Sequence, residues 1–115
     1  MNLERIYLNK VKEEFLLIKP DLIDAYANYI GCFNTDSVLV GIAGWVEHEH
    51  VIYLCHDYVK EEHRGHGIYK LLCNYRNFLI GDTHKEVYAH CNQNSLKEFI
   101  NQGYKIEKVL FKVVK

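Results

Sequence analysis

The sequence contains one proline, Pro20, and four cysteines, none of them in a CxxC pair. It has no apolar run approaching the ~20 residues that a membrane-spanning helix needs. An excess of either charge is also missing: 14 Lys and Arg face 15 Asp and Glu, for a net charge of -1. Each absence excludes something. A balanced chain has no overall pull toward nucleic acid or an anionic membrane surface. Cysteines scattered over Cys32, Cys55, Cys73 and Cys91, without metal-ligand spacing, point to free buried thiols rather than a disulfide framework or a zinc site. The amino terminus, MNLERIYLNKVKEE, reaches charge at once and holds no secretory h-region, so a cytoplasmic protein is expected. GxGxxG, GxxxxGK[ST] and HExxH motifs are absent too.

What is present suits a packed core. Of the 115 residues, 49% are hydrophobic and 25% charged, which predicts one domain over residues 1–115 with no repeat or linker. Leu3, Ile6 or Tyr7, Val11, Phe15 and Ile18 recur at steps of three and four residues, and Pro20 ends that stretch. Proline also suits the first turn of a helix, so a second short helix is expected to about Asn28, with Asp21 and Asp24 near its positive end. Strands follow at 29–33, 38–47 and 51–59. The last two are separated only by His48-Glu49-His50, which reads as the cap of an antiparallel hairpin rather than a metal site. Residues 67–80 return to helix, 86–91 to strand and 94–102 to helix. The alternating tail, 104–115, suggests one or two final strands. The order ααβββαβαβ makes an α/β protein with a mixed sheet and helices over its faces.

The most informative stretch is VKEEHRGHGIYKLL, residues 59–72. A strand ends, a polar loop with Gly65 and Gly67 comes next, and an amphipathic helix begins. Outward-pointing N–H groups and the helix dipole make such a junction an anion cradle suited to phosphate. Arg64-Gly65-His66-Gly67-Ile68-Tyr69, preceded by VKEE, resembles motif A of the GNAT N-acetyltransferases, commonly V-x-P-E-Y-R-G-K-G. Val59, Glu62, Arg64, Gly65 and Gly67 hold the matching places. Downstream, NQNSLKEFINQGY is similar to that family's N-x-x-A-x-x-x-Y-x-x-x-G-F segment.

The resemblance implies the compact GNAT acyl-CoA N-acyltransferase fold, with helices on both faces of a mixed, mostly antiparallel sheet. It implies acetyl-CoA as acyl donor, and a small-molecule or protein amine as acceptor. Homodimers are common among similar proteins. Main-chain groups of Asp57, Tyr58 and Val59 would bond the pantetheine amides, as an added strand does. Arg64, Gly65, His66, Gly67, Ile68 and Tyr69 would hold the pyrophosphate, and Asn92 the pantetheine arm. Three departures stand out. Tyr69 replaces a small residue, Phe99 stands where many members carry the tyrosine that protonates the departing thiolate, and no strand is evident before the first helix. That last departure implies a trimmed fold or an edge completed by another chain.

Deprotonating the acceptor amine calls for a general base. Tyr53 and Cys55 match family base positions, but neither is a strong base at neutral pH. His56 and Asp57 are better acceptors, set against structural roles in a strand. Catalysis is therefore expected to involve His56, Asp57 or Tyr53, by direct attack in a ternary complex. The rival reading is a non-catalytic CoA-binding or interaction module on the same scaffold.

Overall fold

The computed structural model describes residues 1–110 and 112–115. Its elements are β1 (Asn2–Ile6), α1 (Leu8–Phe15), β2 (Asn28–Phe33), β3 (Leu39–Glu47), β4 (Val51–Val59), α2 (Ile68–Ile80), β5 (Glu86–Ala89) and α3 (Gln93–Asn101), with 3-10 turns at Pro20–Leu22 and Glu61–His63. The strands form one sheet in the order β1-β2-β3-β4-β5. The first four are antiparallel neighbours and β5 lies parallel to β4, so α2 is the crossover a parallel pair requires. Among the described residues, no helix is long and apolar enough to cross a membrane.

Both faces of the sheet are covered. Val11 and Phe15, one helical turn apart on α1, pack with Tyr29, Leu39 and Ile42 on one side. Ile68 and Leu72 of α2 and Phe99 of α3 pack with Ile30, Val40, Ala43 and Trp45 on the other. β3 sits in the middle, and its first seven residues are all buried. Burial on both faces is why VLVGIAGW reads as a continuous apolar run rather than an alternation. The mixed α/β architecture is thus the one expected.

Three expectations need correction. Residues 2–6 form a strand, not the start of a helix: Leu3 pairs with Cys32 and Ile6 with Tyr29. Leu3 and Ile6 fit a helical step by spacing, but β2 offers an unpaired edge, and pairing overrides so short a periodicity. The edge strand that is not evident in the residue pattern is therefore supplied by the chain itself. Pro20 starts only a single 3-10 turn, after which the backbone is held by the Tyr29 hydroxyl, which accepts from the Asp24 amide at 2.8 Å. Residues 104–110 and 112–115 form no strand, and Phe111 of that tail lies outside the described residues. Alternation specifies a face without supplying a partner, and among the described residues the four of β5 pair only with β4.

One irregularity interrupts the ladder between β3 and β4. Between the Ile42–Tyr58 and Gly44–Cys55 pairs, β4 carries one more residue than β3, and His56 there has φ +60°. This is a β-bulge with a non-glycine residue in left-handed conformation. Gly44, opposite it, has no room for a side chain: a Cβ would lie 2.9 Å from the Cys55 carbonyl oxygen and 3.1 Å from that of Asn28. Both obstacles are backbone in packed strands. Gly44→Ala should therefore cost about 1–3 kcal/mol of stability, read as a lower urea midpoint at unchanged slope.

Candidate functional site

The rungs between β4 and β5 run from Val51–Glu86 to Leu54–Ala89 and stop there, while β4 continues to Val59. From Cys55 onward, no described residue pairs with the β5 side of β4. A cavity of about 680 Å³ occupies this gap, lined along β4 by Leu54 to Val59 and opposite by His90, Asn92 and Phe99. An unpaired strand edge beside a cavity is a template for an extended amide-bearing ligand.

The loop beyond β4 builds the second part. Gly65 and Gly67 both have φ +80°, and Gly67 caps α2 without any side-chain hydrogen bond. The first α2 amide to find an acceptor in the preceding turn is Leu71, bonded to the Gly67 carbonyl at 3.2 Å. The amides of Ile68, Tyr69 and Lys70 precede that ladder, as at any uncapped helix start. A Cβ on Gly65 or Gly67 would meet nothing within 4 Å, so the backbone there faces open space. A smaller cavity of about 250 Å³ lies over this loop and shares Val59, Arg64 and Tyr69 with the larger one. Arg64 is anchored, donating from Nε to the Val59 carbonyl at 2.8 Å with its guanidinium over the Tyr58 ring.

The candidate proton-transfer residues are placed very differently from one another. Asp57 is bound on several sides: Arg76 donates to its two oxygens at 2.5 and 3.1 Å, and the Tyr69 hydroxyl donates at 3.0 Å. Arg76 is 1% exposed and also donates to the Gly44 carbonyl at 2.9 Å. Tyr69 finds its room by turning inward, where burial and the Asp57 carboxylate push its hydroxyl far above the usual tyrosine range. His56 lines the larger cavity, and its Nε2 lies 3.0 Å from Oδ2 of Asp24. Tyr53 lines neither cavity; it stacks on Tyr88 of β5, with ring centroids 6.1 Å apart. Cys55 does line the larger one, but burial, with Asp57 and Asp24 nearby, pushes its thiol up to about 11. That is no nucleophile at neutral pH.

The remaining expected residues divide. Asn92 lines the larger cavity and caps α3, accepting from the Ser95 amide at 3.0 Å. His66 is exposed and lines neither cavity. Ile68 points into the core and contributes to the smaller cavity. Phe99 is buried at the cavity wall, edge-on to Tyr104. Two important residues escaped sequence reasoning. Arg76 left a signal, a charged residue continuing the apolar Ile68–Leu72 stripe of α2. Asp24 left none, because its partner is 32 residues away.

No protein-family model matches the chain, and no curated protein matches it. Solved structures do. A ribosomal-protein-alanine N-acetyltransferase from Brucella melitensis biovar Abortus 2308 is similar over 100% of both chains, with TM-score 0.74 and 16% identity. A glucosamine-6-phosphate N-acetyltransferase from Arabidopsis thaliana matches 98% of this chain and 97% of its own, with TM-score 0.71 and 8% identity. An aminoglycoside N-acetyltransferase in complex with CoA covers 99% of each, with TM-score 0.66 and 15% identity. The chain has the fold of the GNAT acetyltransferases.

The Arg76–Asp57 pair is testable without any ligand. Arg76→Met removes the charge and leaves a partly buried carboxylate without its counter-ion, at a cost of about 3–5 kcal/mol. Adding Asp57→Asn should recover part of that loss, and a double-mutant cycle by urea denaturation measures the coupling.

Proposed function

We propose that the chain is an N-acetyltransferase that takes the acetyl group from acetyl-CoA and passes it to a primary amine by direct attack in a ternary complex. The observation that carries this reading is continuity. The open edge of β4 leads through the Gly65–Gly67 loop to the uncapped start of α2, and the two cavities share lining residues. Main-chain groups of Asp57, Tyr58 and Val59 hold the pantetheine amides. The turn of Gly65 and Gly67, with Arg64 beside it, receives the pyrophosphate at the positive end of α2. Acetyl-CoA supplies an activated acyl carbonyl. A bulge leaves main-chain groups unpaired, and an N–H near Asp57 meets the carbonyl oxygen as negative charge develops there.

His56 is the base in this reading. Asp57 has its oxygens committed to Arg76 and Tyr69, and serves to hold the bulge in place. Tyr53 lies within the closed part of the β4–β5 ladder, paired with Tyr88 and stacked on its ring. Cys55, with its thiol protonated, offers no route through an acyl-enzyme, in keeping with direct attack. The acceptor side is bounded by Lys19, Asp21 and Leu22 around the Pro20 turn. These residues do not specify one amine. The second reading, a non-catalytic CoA-binding module, is favoured by one observation: Phe99 cannot protonate a leaving thiolate.

Gly67→Asp places a carboxylate where the phosphates belong, at a backbone conformation aspartate tolerates. Calorimetry should then show loss of acetyl-CoA binding with the fold retained; unchanged affinity would falsify the cofactor site. Catalysis is read as thiol release from acetyl-CoA over a panel of amines. The panel comprises a peptide with a free amino-terminal alanine, a lysine peptide, spermidine, an aminoglycoside and glucosamine 6-phosphate. At least one should be turned over; binding without turnover of any amine selects the non-catalytic reading. In the active case, Phe99→Tyr should maintain or raise kcat, because its hydroxyl would restore a proton donor at the cavity wall.

A further inference from the structure

Resting on the assignment of His56 as base, the geometry points to Asp24 as its positioning residue: the carboxylate holds the imidazole with its proton on Nε2 and leaves Nδ1 to receive the acceptor's proton. A carboxylate only accepts hydrogen bonds, so the 3.0 Å contact between Asp24 Oδ2 and His56 Nε2 puts the ring proton on Nε2. The free nitrogen of the neutral ring is then Nδ1.

Asp24 is itself fixed. Its Oδ1 accepts from the Tyr26 amide at 2.8 Å, and its own amide donates to the Tyr29 hydroxyl at 2.8 Å. That hydroxyl donates to the Leu22 carbonyl at 2.7 Å, and Tyr29 is fully buried on β2. The bond from Tyr26 holds the Asp24 carboxyl below the usual aspartate range; burial opposes this, and His56 adds to it. Asp24 is therefore ionised at neutral pH. From the other side, His56 is aimed by the bulge, in a left-handed conformation that non-glycine residues seldom adopt. A strained backbone at a cavity wall, meeting an anchored carboxylate, is the pattern of a preorganised site. An imidazole serving only as packing needs neither.

The proton count closes. The acceptor ammonium gives one proton to Nδ1, and its freed lone pair forms the C–N bond. The C–S bond then breaks with its electron pair on sulfur. A second nitrogen proton leaves as the amide forms. One of the two protons ends on the thiol and the other in water, and His56 returns neutral.

Asp24→Asn tests this. Asparagine has a single side-chain oxygen, which stays with the Tyr26 amide, so its NH2 group faces His56. A donor there requires an unprotonated Nε2, and the ring proton moves to Nδ1, blocking the base. Turnover of the fastest amine in the panel should fall by about 10²-fold or more, with acetyl-CoA affinity unchanged. Nitrogen-15 NMR of the neutral ring should show the proton on Nε2 in the unaltered protein and on Nδ1 in the variant. The first of these spectra needs no acceptor and no mutation, so a proton on Nδ1 in the unaltered protein overturns the proposal even if the variant does not fold. His56→Asn, which suits the left-handed backbone, separates the two claims. Full turnover in His56→Asn sinks the base assignment. A slow His56→Asn beside an Asp24→Asn that works at the normal rate with its proton still on Nε2 sinks the role of Asp24 alone.

Discussion

Arg76 lies on the face of α2 that packs against the sheet, and its guanidinium reaches both Asp57 on β4 and the Gly44 carbonyl on β3. Three elements meet at one buried cation. Such a pair contributes little net stability over apolar packing, because taking both charges out of water offsets their attraction. What it does is fix position. With Asp57 tethered, the extra residue of β4 has one place to go, and His56 is turned toward the cavity. With Arg76 tethered, α2 keeps its amino terminus at the end of β4. Its Nε is the buried side-chain atom left without a partner among the described residues, a sign that the fork is oriented for Asp57 rather than for full satisfaction.

The two halves of the site are built by different means. On the proposed donor side the recognising groups would be main chain: an open strand edge, a two-glycine turn and the first amides of a helix. The proposed acceptor side would depend on side chains carried by separate parts of the fold, His56 from the bulge and Asp24 from the loop after Pro20. The sheet holds these halves in register because β4 belongs to both. Its α1 face carries Tyr58 against Phe15, while Leu54 joins the core under α2 and α3.

Much of this was legible in the residues. The hairpin lies where the histidine-rich triplet puts it, β4 has its expected bounds, and α2 begins one residue later than the apolar spacing predicts, because Gly67 caps the helix. Those elements are specified locally, by turn residues and by apolar spacing. Sequence and structure part where a distant partner decides. β1 takes its conformation from β2, so five residues of ambiguous spacing read as helix. The bulge at His56 is invisible in VIYLCHDYV, since nothing in a strand's own pattern marks an inserted residue when both faces are half-buried. Asp24 looks like a helix-start carboxylate, although its structural partners are a tyrosine hydroxyl and an imidazole brought near by the sheet.

The open edge of β4 also bears on how far such a sequence can drift. N–H and C=O groups are the same at every residue but proline, so a ligand bound through them places almost no demand on which side chains stand at 55–59. Only the backbone path must be preserved, and that path depends on Gly44, the Arg76–Asp57 tether and a break in pairing after Leu54. Chains that keep those few constraints are free to exchange nearly everything else. Likeness in shape over whole chains at 8–16% identity is the outcome expected of a fold held by so few fixed positions.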